Sequence, residues 1–204
     1  MFQVPSFRRL QQSHELDTFS HTYKQCSGFQ VPRSYYEANQ VFGIYWKEAM
    51  IGGFVLGTGA TLRTLEVFAA SEQRPGLYQQ VQQSAPHTEM CCFWIAPGCR
   101  QKTWLNFFVW LCVAYALQTY GTAQLIFGTN SVRLAALYSA ASKSTLLHAD
   151  YVNHKQTYIF TGPRKHCLLG VAQILYYKTK RLVALRVRAV GRPLDQVRSL
   201  RVTV

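Results

Sequence analysis

Acidic residues are scarce in this chain: 9 Asp and Glu stand against 22 Lys and Arg over 204 residues, a formal net charge of +13. The list of carboxylates available for chemistry is therefore short. Long apolar runs are missing as well. The longest strongly apolar segment, Trp104 to Leu117, has 14 residues with Asn106 as its one polar interruption, short of the roughly 20 that span a bilayer. It reads as a buried helix, and no membrane span is expected. The opening "MFQVPSFRRLQQSHELDTF" has no apolar signal region and no small-residue cleavage site, so a cytoplasmic protein is expected. Among the 6 cysteines there is no CxxC pair. As strand neighbours, Cys91 and Cys92 should point to opposite faces, and all the cysteines read as structural thiols of a reducing compartment. His148, His154 and His166 with Cys167 lack a metal-ligand spacing, and no metal is expected. Internal repeats and low-complexity blocks are absent.

What is present is a chain that folds. It is 49% hydrophobic and 14% aromatic with only 15% charged residues, which argues against disorder. Its length suits one domain, residues 1–204, rather than two. Charge is unevenly placed: from Arg164 onward ten basic residues face one acid, Asp195. That end attracts polyanions. "LVALRVRAV" alternates apolar and basic residues, as a half-exposed final strand would.

Along the chain, "ELDTFSHTYKQC" reads as an amphipathic helix, and "QVFGIYW", "KEA" and "MIGGFVLG" as a hairpin. "LRTLEVFA" is β-prone, and Ser71 to Thr88 reads as a helix or long loop. "EMCCFWIAP" reads as a strand buried on both faces, and Lys102 to Gln118 as a helix. "AQLIFGTN" is a further strand. "SVRLAALYSAASKSTLL" is a helix capped by Asn130 or Ser131. "KQTYIFTG" is a late strand and "CLLGVAQILYY" a last helix. This order predicts an α/β fold with a mixed, mostly antiparallel sheet of six to seven strands covered by helices. The strands Glu89 to Pro97 and Ala123 to Asn130 are expected to be parallel neighbours joined by a right-handed crossover. The basic turn "GCRQKT" then sits between strand and helix, where backbone amides and the helix dipole favour an anion.

The hairpin "FGIYWKEAMIGGFVLG", the strand "CFWIAP", the turn "GCRQKT" with its long helix, the strand "AQLIFGTN" and the helix ending "LAALY" together resemble the GCN5-related N-acetyltransferase (GNAT) family. The resemblance covers residues 40–162, about three fifths of the chain, with a basic C-terminal extension from 163 to 204. In that family an Arg/Gln-x-x-Gly-x-Gly/Ala turn wraps the pyrophosphate of acetyl-CoA. Read from Arg100, Thr103 and Leu105 occupy the two glycine or small-residue positions here, a departure, since glycine lets the backbone approach phosphate closely.

The resemblance implies that Arg100, Gln101, Lys102 and Thr103 hold the pyrophosphate, with Thr103 also able to cap the helix. It implies that Phe93, Trp94 and Ile95 align the thioester, with Asn130 beside the pantetheine arm. Tyr138 falls where the family's tyrosine protonates the departing thiolate. Glu89 is the candidate general base, with Glu66 as an alternative. The expected function is acyl transfer from acetyl-CoA to an amine on a small molecule, a protein or an aminoacylated RNA. Two alternatives stand beside it: an inactive relative that binds nucleic acid or an acidic partner through its basic end, and an interaction subunit without a ligand.

Overall fold

A computed structural model describes residues 4–58, 62–65, 81, 83, 86–141, 144–152 and 155–190. Strand β1 (Ser6–Leu10) leads into helix α1 (Ser13–Ser27). Glu15 accepts from the Gln11 and Gln12 amides, each at 3.3 Å, and so fixes the start of that helix. Gly28 ends it in the left-handed region at φ 76°, its N–H donating to the Lys24 carbonyl. A short helix α2 (Arg33–Ala38) follows, then the hairpin of β2 (Gln40–Trp46) and β3 (Ala49–Gly57). Its two turn residues, Lys47 and Glu48, have φ of 52° and 65°. Those values match the type I′ hairpin turn that usually takes Asn-Gly.

Strand β4 (His87–Ile95) runs through a four-residue helical turn α3 (Pro97–Arg100) into α4 (Thr103–Tyr120). Then come β5 (Gln124–Thr129), α5 (Val132–Ala141), β6 (Thr145–Val152), β7 (Lys155–Pro163) and α6 (Arg164–Val190).

The strands form one seven-stranded sheet in the order β1-β2-β3-β4-β5-β7-β6. Only β4 and β5 are parallel; the other pairs are antiparallel. The apolar helix α4 makes the crossover between them, as expected. On one face, α4, α5 and α6 bury Phe42, Phe54, Leu105, Val109, Phe127 and Phe160. On the other, α1 and α2 bury Phe19, Tyr36, Val41, Val55 and Trp94. Gly53 lets α1 come this close, because a Cβ there would lie 2.6 Å from the Phe19 ring. Among the described residues, no helix is long and apolar enough to cross a membrane.

Several expectations are corrected. The sheet begins before Gln40, because β1 pairs with β2 along an edge whose "SFRRL" has only a weak strand pattern. Residues 62–65 of the β-prone "LRTLEVFA" form a helical turn, Leu65 N–H donating to the Leu62 carbonyl; the rest of that stretch, Glu66 included, lies outside the described residues. Most of Ser71 to Thr88 does too, while His87 and Thr88 at its end already belong to β4. The helix expected through "STLL" stops at Ala141, and Thr145 to Val152 is a strand whose β-branched and aromatic residues pair with β7. "LVALRVRAV" is helix, the last turns of α6. Its Leu, Ala and Arg are strong helix formers, and extending an existing helix avoids the cost of a new nucleus.

Candidate active site

The parallel pairing of β4 with β5 runs only from His87–Gln124 to Met90–Phe127. Beyond it β4 continues through Ile95, held by β3 alone. The cause is local: Cys92 has a φ of 51°, and the β3–β4 register shifts between Gly53 and Val55. This is a bulge, which bends its strand and disrupts the ladder. It also overturns the expectation for the cysteine pair. Cys91 and Cys92 lie on the same side, their sulfurs 3.6 Å apart. The edge of β4 from Cys91 to Ile95 is thus parted from β5, and it leads straight into α3 and α4.

The residues expected to hold a phosphate lie at that end. Arg100 folds back, its Nε donating to the Ile95 carbonyl at 2.8 Å. Lys102 stands over the Trp46 ring at 4.0 Å, and Trp46 meets the half-exposed Trp104 edge-on at 5.7 Å. Lys102 holds the N-cap position, with no side-chain cap bond, and Thr103 is the first helical residue, so the cap expected of Thr103 is not made. Among the described residues no acceptor takes the Thr103 or Trp104 amides, whereas Leu105 and Asn106 donate to the Lys102 carbonyl. Leu105 points into the core and is fully buried. It therefore takes no space at the corner.

Phe93 faces α4 and stacks at a tilt on Trp110, 5.5 Å away. Trp94 faces the opposite way, against Phe19, and its buried indole nitrogen has no hydrogen-bond partner among the described residues. Ile95 is buried and pairs with Gly52. Asn130 is exposed and gives its side-chain amide to the Gln156 carbonyl and to Thr157 Oγ1. Ser131, not Asn130, caps α5: its hydroxyl accepts from the Leu134 amide at 3.3 Å.

Tyr138 is buried on the α4 face, edge-on to Phe127 at 5.1 Å and to Trp110 at 6.4 Å. It lines an apolar cavity of ≈ 30 Å³ with Met90, Trp110, Phe127, Cys167 and Gly170. Burial pushes its phenol well above the usual tyrosine range. Met90 and Phe127 are also the last pair of the parallel ladder, so the cavity borders the point where the strands part.

Glu89 is fully buried on the other face. Its Oε2 accepts from the Tyr35 hydroxyl at 2.6 Å and the Arg63 amide at 2.8 Å; its Oε1 accepts from the Thr64 amide and hydroxyl. Those four donors fill the acceptor positions of a carboxylate. Gly57 leaves the necessary room, because a Cβ there would stand 2.9 Å from the Tyr35 oxygen. Burial, then the neighbouring Cys91 and Glu89, push the Tyr35 phenol far up; burial and the bond to Cys92 push the Cys91 thiol well up.

Two groups here escaped sequence reasoning. Tyr35 joins Glu89 to Cys91, its oxygen also 3.2 Å from the Cys91 sulfur. Arg63, whose backbone Glu89 anchors, brings its guanidinium to 3.9 Å from the Cys92 sulfur. The one signal for it was a lone cation in an apolar stretch. Among the described residues no group of three or more His, Cys, Asp or Glu side chains is placed to hold a metal ion.

No protein-family model matches the chain, and no curated protein matches its sequence. Solved structures do resemble it. The N-acyl amino acid synthase FeeM from uncultured soil microbes superposes with a TM-score of 0.61 at 15% identity, over 80% of this chain and 93% of that one. The AHL synthase LasI gives 0.53 at 9% identity, over 80% and 90%. NAA60 of Arabidopsis thaliana, in complex with acetyl-CoA, gives 0.51 at 10% identity, over 78% and 98%.

Proposed function

Starting from a chain that has the GNAT fold in divergent form, we propose that it is an N-acyltransferase that moves an acetyl group from acetyl-CoA to an amine by direct attack. The observation that carries this reading is the parting of β4 from β5 beyond Met90 and Phe127, at a bulge, immediately before the start of α4. The residues fit the donor. Free amides at Thr103 and Trp104, with Lys102, Gln101 and the outer N–H groups of Arg100, suit a pyrophosphate at a helix start. The open backbone edge of Phe93, Trp94 and Ile95 suits the pantetheine arm, with Asn130 bordering it. The apolar cavity has room for about one water-sized group, which favours acetyl over a long chain.

Bound acetyl-CoA supplies an activated carbonyl and a sulfur leaving group. Tyr138, kept protonated by burial, holds the proton that the departing sulfur takes. Glu89 receives the amine proton through Tyr35: the phenol passes its own proton to Oε2 and accepts the one from nitrogen. The acid and the base thus approach the reacting carbonyl from opposite faces of the sheet. Six cysteines, none in a disulfide, suit a reducing compartment and a cytoplasmic protein.

Calorimetric titration with acetyl-CoA and with free CoA tests the reading. Saturable binding that weakens in Lys102→Ala is expected, and no binding up to millimolar ligand would remove it.

One feature favours a second reading, a chain that binds nucleic acid or an acidic protein. Helix α6 exposes Lys165 and Lys180 and carries Arg186 and Arg188 further along. Salt-dependent retention on a polyanion that disappears when Arg186, Arg188 and Arg192 become Ala is the expected signature.

A further inference from the structure

Among the described residues, Arg63 is the cation brought against the bulge of β4, and nothing in the acyl-transfer account uses it. Its position is fixed from both sides. The backbone of Arg63 and Thr64 is bound to Glu89, and the guanidinium reaches Cys92, with the Tyr23 phenol beside it. Its side chain is half-buried. The groups around it are thiols and a phenol; among the described residues no carboxylate stands within ion-pair distance of it. Glu89, the nearest acid along the strand, takes the Arg63 amide rather than its guanidinium. A cation taken part-way out of water without a counter-charge is costly, and a guanidinium is shaped to take a planar anion through two parallel N–H bonds.

We infer that the Arg63 guanidinium anchors an anionic head group on the acceptor, and that the acceptor is an α-amino acid held by its carboxylate. The inference rests on the acyl-transfer reading of the opening. An α-amino acid carries its nitrogen one carbon from its carboxylate. Held on Arg63 beside Cys92, it presents that nitrogen at the bulge, where the β4 edge comes free and the Tyr35–Glu89 pair lies close by. The amine attacks the thioester carbonyl, the carbon–sulfur bond breaks, and the products are an N-acetyl amino acid and CoA.

The test incubates the full chain with acetyl-CoA and either the twenty proteinogenic amino acids or their decarboxylated amines, with mass-spectrometric quantitation of N-acetyl products. Wild type should favour the acid over the amine of the same side chain by tenfold or more. Arg63→Gln should bring the two near parity, with Arg63→Lys in between and all three proteins melting cooperatively. Equal use of amines by wild type, or a preference that survives in Arg63→Gln, overturns the inference. Glycine beside aminomethylphosphonate separates the two planar and tetrahedral anions, and faster turnover of the phosphonate overturns the amino-acid assignment. Should neither set yield product, calorimetry with the amino acids decides. Binding lost in Arg63→Gln upholds the anchor while the acyl-transfer reading falls; no binding to wild type sinks the anchor itself.

Discussion

The Tyr35 hydroxyl on α2 donates to Glu89 on β4 at 2.6 Å, across 54 residues of sequence, and ties the helical layer to the strand that parts from its neighbour. Replacing Tyr35 with Phe leaves an acceptor position of a buried carboxylate empty, at a cost of about 1–3 kcal/mol. A melting temperature lower by about 3–10 °C is expected by calorimetry. In steady-state assays kcat should fall while KM for acetyl-CoA holds. Unchanged kcat would take Tyr35 out of the proton path.

Tyr138→Phe removes the proposed acid and keeps the ring that Phe127 and Trp110 pack against. The expected result is a loss of about 10²-fold or more in kcat with acetyl-CoA binding intact. Because burial raises the phenol above the usual tyrosine range, the wild-type rate should not decline through loss of this proton below pH 10. A variant as active as wild type would reduce Tyr138 to packing.

Leu105 occupies a position where the resembled family has glycine or another small residue, yet its side chain is fully buried in the core. Leu105→Ala should therefore cost about 2–5 kcal/mol and leave CoA affinity where it was. Tighter binding in the variant, measured by titration, would mean that the leucine obstructs the corner after all.

Burial pushes the Cys167 thiol up to about 11 and the Cys112 thiol up to about 12, from 9.0. Above pH 9 the unfolded chain ionises these thiols while the folded chain keeps its protons. The stabilisation is complete below pH 9 and is lost as pH rises toward 11–12. Thermal melts at pH 8 and 10.5 should show the drop, and a Cys112→Ala, Cys167→Ala double variant should show a smaller one. Equal drops in the two proteins would assign the effect elsewhere.

Long elements with one strong period were legible in the sequence: the β2–β3 hairpin, the apolar strand β4, the crossover helix α4 and its parallel partner β5. What escaped depended on events that periodicity does not encode. A single residue in the left-handed region, Cys92, places two neighbouring side chains on one face where strict alternation predicts two. The same residue decides where β4 leaves β5. The alternating apolar and basic residues after Lys180 follow the helix they extend. Of the candidate site, the corner at Lys102 and the tyrosine on α5 could be placed from the order of elements. Arg63 could not, because its role depends on an anchor from Glu89, 26 residues away.

The sheet would act as a partition in the proposed reaction. Met90, Cys167 and Tyr138 lie on one side of it, and Arg63, Tyr35 and Glu89 on the other, with the parting of β4 from β5 between them. A change in the first group alters what is delivered; a change in the second alters what receives it. The two specificities can therefore diverge independently, each by substitutions that the opposite face does not feel.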